Sequence, residues 1–67
     1  MQHIATAIQR GNIITTYDNS GIIIAQFVIP FNATLVGWTA DIVTVYSTDL
    51  KQRLLYDARG ILKRTIL

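Results

Sequence analysis

The side chains able to do chemistry are few and scattered. His3 is the single histidine, Asp18, Asp41, Asp49 and Asp57 are the only acidic residues, and there is no cysteine. General-base work by His3 needs an orienting partner and a nucleophile within reach. No acid or thiol stands near it in sequence, so it reads as a structural or solvated residue. Three of the four aspartates sit at turns, and a carboxylate pair for glycoside hydrolysis needs a cleft that a small sheet protein has little room to build. No metal-ligand spacing and no cofactor motif is present. The residues therefore predict no enzyme, no metal and no cofactor.

Two of the aspartates belong to a pattern that occurs twice. Tyr17-Asp18-Asn19-Ser20-Gly21 and Tyr56-Asp57-Ala58-Arg59-Gly60 lie 39 residues apart, each between runs of β-branched and aliphatic residues. In such a turn Asp accepts backbone hydrogen bonds and Gly takes the left-handed conformation that a Cβ penalises. Asp18, Gly21, Asp57 and Gly60 are thus the turn-defining residues of two hairpins. The same offset continues outward: Ile4, Thr6 and Ile8 fall on Val43, Val45 and Ser47, Ile14 on Arg53, Thr16 on Leu55, Ile22 on Ile61, Ile23 on Leu62, Phe27 on Ile66 and Val28 on Leu67. This reads as one hairpin unit used twice within a single domain, 1–67, with residues 4–28 and 43–67 as copies and 30–41 as the bridge.

Strand is the expected state nearly everywhere, since Thr, Val, Ile and Tyr dominate and no segment has a helical apolar period. The predicted strands are 2–9, 12–17, 21–29, 34–38, 41–47, 52–56 and 61–66, with turns at Arg10-Gly11, Pro30-Phe31-Asn32 and Thr48-Asp49-Leu50-Lys51. In 21–29, alternation sets Ile23, Ala25, Phe27 and Ile29 against Ile22, Ile24, Gln26 and Val28, so both faces are apolar. That makes 21–29 the expected most buried strand. In 61–66, Leu62, Arg64 and Ile66 share one face and Ile61, Lys63 and Thr65 the other, and this strand is expected to be the more exposed of the pair. The fold class predicted is all-β, an antiparallel meander of about seven strands forming a small sandwich or barrel, completed by oligomerisation.

Composition points the same way. Of 67 residues, 51% are hydrophobic and 15% charged, against a usual charged share of about 25%. A domain this small buries only about 60% of the surface of its unfolded chain, so apolar surface is left over for a homo-oligomer to cover. Ile22, Ile24, Phe27, Ile29, Val36 and Trp38 are the candidates for core or subunit contact. Residues 19–40 carry no charge, but Gln26, Pro30 and Asn32 interrupt them far below the ~18–20 apolar residues of a membrane-spanning helix. No membrane role is expected, and the opening residues show no secretory signal, so the expected location is cytoplasmic. Asn32-Ala33-Thr34 fits a glycosylation sequon, a weak signal outside a secretory context.

Charge is uneven. Five of the six basic residues, Lys51, Arg53, Arg59, Lys63 and Arg64, belong to the last third, whereas Arg10, Asp18 and Asp41 leave the first two-thirds slightly negative. The basic hairpin reads first as a solvated face and second as a candidate nucleic-acid contact.

The segments Arg10-Gly11-Asn12-Ile13-Ile14-Thr15-Thr16-Tyr17-Asp18, Thr34-Leu35-Val36-Gly37-Trp38-Thr39, Val43-Thr44-Val45 and Leu55-Tyr56-Asp57-Ala58-Arg59-Gly60 resemble short bacterial and prophage β-proteins with paired Tyr-Asp-X-X-Gly hairpins, related in style to YD repeats. The resemblance covers nearly the whole chain and implies a fold rather than an activity. A second, weaker resemblance is to the trp RNA-binding attenuation protein family, carried by Ile23-Ile24-Ala25-Gln26-Phe27 with Ala40, Ile42, Thr44 and Tyr46. It implies an oligomeric β-structure and RNA as a partner class. The family's base-reading Lys-Val-Arg falls on Leu35-Val36-Gly37, so those contacts do not carry over. The function expected is a non-catalytic structural or protein-interaction module that self-associates through apolar strand surfaces, with a nucleic-acid-binding β-oligomer as the alternative.

Overall fold

The computed structural model describes residues 3–66. It is all-β. Among the described residues seven antiparallel strands run in chain order: β1 (Thr6–Arg10), β2 (Ile13–Tyr17), β3 (Ile23–Val28), β4 (Ala33–Trp38), β5 (Ile42–Ser47), β6 (Gln52–Asp57) and β7 (Leu62–Ile66). Strands β1-β2-β3 form sheet A and β4-β5-β6-β7 form sheet B, each a simple meander. Among the described residues no helix is long and apolar enough to cross a membrane.

The turns explain the meander. Asp18 Oδ1 accepts the amides of Ser20 (2.8 Å) and Ile22 (3.0 Å), and Asp57 Oδ1 accepts those of Arg59 (2.9 Å) and Ile61 (3.0 Å). Gly21 and Gly60 sit at φ 80° and 88° and each donates to its aspartate's carbonyl at 3.0 Å. A register shift follows each turn. Tyr17 faces Ile23 but Thr16 faces Ala25, and Tyr56 faces Leu62 but Leu55 faces Arg64, so Ile24 and Lys63 are extra residues in β-bulges.

Those bulges correct the simple alternation. Ile24, rather than Ile23, joins Phe27 and Ile29 at the core, while Ile23 is half exposed. Leu62 lies opposite buried Tyr56, off the face that Arg64 and Ile66 share with Leu55 and Arg53. A second correction concerns 21–29, which is not the most buried strand. It is an edge of sheet A, and Ile22, Ile23 and Val28 are exposed. Apolar residues on both faces signalled burial, but only one face meets the other sheet. Strand β7 is exposed throughout, as its charges suggested. The first strand begins at Thr6 because the Ile4 amide leaves sheet A and donates to Ala40 O (2.8 Å) in the β4–β5 connection. Met1, Gln2 and Leu67 of the predicted segments lie outside the described residues.

The core lies between the sheets, with Ile14, Ile29, Val43 and Val45 almost fully covered and Ile4, Ala7, Ala33, Leu54 and Tyr56 around them. Sheet A turns Ala7, Ile14, Thr16 and Phe27 inward, and sheet B turns Val43, Val45, Leu54 and Tyr56 inward. Positions 39 residues on from Ile14 and Thr16 are Arg53 and Leu55, which face outward. The two hairpins thus offer opposite faces to the shared core.

The edge of β4 is sewn by side chains. Gln9 donates from Nε2 to Ala33 O (2.9 Å) and accepts the Leu35 amide at Oε1 (2.8 Å), so its amide pairs with β4 as a neighbouring strand would. Trp38 Nε1 donates to Ala5 O at 3.3 Å at the other end of β4. Gln9→Leu strands these two part-buried backbone groups and is expected to cost about 1–3 kcal/mol in urea unfolding.

Candidate functional site

The two Tyr-Asp turns each set a tyrosine beside an aspartate, and the second adds Arg59 and Lys63. The second turn is occupied. Phe27 of sheet A lies on it, with its ring centroid 5.2 Å from that of Tyr56 and the rings tilted by 36°. A Cβ at Gly60 would overlap the Phe27 ring, so only glycine lets the two sheets approach this closely. Fully buried Thr16 donates from Oγ1 to Ala58 O in the same turn (3.1 Å), fixing the turn on sheet A. Burial raises the pKa of Tyr56 above the ordinary tyrosine value.

The first turn is open. Nothing lies within reach of a Cβ built on Gly21, and Ala5, Thr6, Ile8, Tyr17, Asp18 and Gly21 line an open hollow of about 450 Å³ on the outer face of sheet A. Two turns with the same internal hydrogen bonds therefore have different surroundings.

The predicted site residues divide accordingly. Asp18, Gly21, Asp57 and Gly60 shape the turns as described. Of the apolar candidates, Ile29 is buried, Ile24 and Phe27 pack against the core, and Ile22, Val36 and Trp38 are exposed at 62%, 60% and 42%. The basic residues do not form one surface. Arg53 and Arg64 share the outer face of sheet B, whereas Lys51 and Arg59 sit in turns at opposite ends of β6. Lys63, at its bulge, reaches Asp57 Oδ2 at 3.8 Å. His3 finds an acid that its sequence neighbours lack, with Nδ1 at 3.6 Å from Asp41 Oδ1, and both are exposed. That pair lies next to the Ile4 amide's bond to Ala40 O, which is what joins the N-terminal segment to the β4–β5 connection. Among the described residues no three His, Cys, Asp or Glu cluster as a metal site.

Sequence reasoning missed Gln9 and Thr16. Both are polar residues on strands, and their partners lie 24 to 42 residues away. No local signal marked either, since Thr15 and Thr6 are equally polar residues of the same two strands.

No protein-family model, no curated protein and no solved structure matches the chain.

Asp57 is held below the ordinary aspartate range, chiefly by the Ile61 amide, with slight burial opposing and the Arg59 amide and the charges of Lys63 and Arg59 adding to the fall. A depressed folded-state pKa contributes stability that is complete above the unfolded value of about 4 and lost as pH falls through the folded value. Asp57→Asn keeps an acceptor at Oδ1 and removes the charge. Its thermal midpoint is expected to fall less than that of the parent between neutral pH and pH ~3.

Proposed function

We propose that the chain is a non-catalytic structural or protein-interaction module that associates with copies of itself through apolar strand surfaces. The observation that supports this most is the amount of apolar side chain left on the outside. Ile22, Val28, Val36, Ile61 and Phe31 are each more than half exposed, and Ile8, Ile13, Ile23, Leu62 and Ile66 are close behind. Covering such side chains against another chain is favourable at about 25 cal/mol per Å² of apolar surface. Strands β3 and β7 also end their sheets, so each has one side without a strand partner in its sheet.

Within this reading, residues 4–28 and 43–67 are two copies of one hairpin unit in a single β domain. The matching aspartate bonds, glycine conformations and bulges at positions 39 apart favour that relation. The module contributes surface, and its turns serve to hold that surface in shape.

Sedimentation equilibrium across the micromolar range is expected to give a weight-average mass that rises with concentration above the 7.5 kDa of one chain. A mass that stays at one chain throughout would remove the reading.

A further inference from the structure

Within one chain, a face of sheet A carrying Phe27 packs on a face of sheet B carrying Tyr56 and its turn. The residue matching Phe27 is Ile66, which lies on the outer face of sheet B and is 39% exposed. The residue matching Tyr56 is Tyr17, which lines the open hollow on the outer face of sheet A. Both halves of the internal contact thus recur on the outside of the molecule. They point away from each other.

The geometry points to head-to-tail association, in which the outer face of sheet B of one chain seats Ile66 in the hollow beside Tyr17 and Gly21 of a second copy. The occupant is set by continuity with the interface already present: the same offset of 39 residues that relates the two turns relates Phe27 to Ile66. Gly21 leaves the hollow clear, where Gly60 in the corresponding place lies beneath Phe27.

Charge favours this pairing over its symmetric rival. Placing two sheet-B faces together sets Arg53 and Arg64 against their own copies, a like-charge contact that is costly when desolvated. Placing sheet B on sheet A brings those arginines to the side that holds Asp18. The lysine that pairs with Asp57 has Ile24 in the matching place, and among the described residues no cation pairs with Asp18. The new contact is also weaker than the internal one, since charged Arg53 and Arg64 stand where Ile14 and Ala25 do, and Leu55 in place of Thr16 donates no hydrogen bond. It is expected to be reversible. Because the two contacting faces differ, the association does not end at a dimer unless a ring closes.

This inference rests on the self-association proposed above, and cross-linking separates the two. The native chain has no cysteine, so each introduced thiol is unique. Asn19→Cys, which places a thiol on the lining of the hollow, and Ile66→Cys variants, one isotope-labelled, are mixed and oxidised at a concentration where the mixture itself is seen to self-associate by sedimentation, and the disulfide dimers are weighed by mass spectrometry. Dimers containing one chain of each kind are expected to dominate. Dominance of dimers in which both chains carry the same substitution, or no disulfide despite association, would overturn the head-to-tail contact and leave self-association standing. A parent that sediments as one chain would overturn both. As a check without thiols, Ile8→Lys puts a charge on the hollow's wall and is expected to weaken association at least tenfold with an unchanged circular-dichroism spectrum; unchanged association would count against the placement.

Discussion

The close approach of Phe27 to the second Tyr-Asp turn is the contact that the arrangement of the two sheets depends on. Glycine at position 60 makes room, the Tyr56 ring gives the phenyl group an aromatic neighbour, and Thr16 ties the adjoining Ala58 carbonyl to sheet A. With no disulfide to constrain the unfolded chain and only a thin core, such a contact has a large share of the small net stability a chain of 67 residues can have. The apolar side chains of Val43, Val45 and Leu54 then close around it. Strand β4 is held by polar groups instead, through Gln9 and the Trp38 indole.

Two hairpins of similar sequence could meet by presenting like faces or unlike ones. Here they present unlike faces, and that choice follows from the residues at matching positions. Ile14 and Thr16 suit an interior in sheet A, whereas Arg53 and Leu55 in sheet B are better left outside with Leu54 and Tyr56 turned in. The sequence difference between the hairpins thus decides their orientation. The bulges at Ile24 and Lys63 adjust the strands after each turn, sending an isoleucine inward in one case and a lysine to an aspartate in the other.

Much of the fold was legible in the residues. All seven strands were expected close to where they lie, because β-branched runs and the glycine, proline and aspartate turns mark them locally. The roles of Asp18, Gly21, Asp57 and Gly60 were legible for the same reason. What escaped was non-local. A bulge alters no residue type, so nothing in 21–29 or 61–66 announced where alternation would break. Apolar character on both faces of 21–29 did not distinguish a strand between two layers from one at an edge. His3 and Asp41 met only once the N-terminal segment crossed to the β4–β5 connection. The basic residues looked like one group along the chain, yet their turns and faces separate them.

The amide of Gln9 takes the place of a backbone at the edge of β4. Its two bonds span 24 and 26 residues of chain, so they exist only where β1 and β4 lie side by side. Strand β4 ends sheet B, and the two backbone groups that Gln9 occupies are ones a further strand would otherwise pair with. One side chain thus shields part of an edge that the sheet itself leaves open.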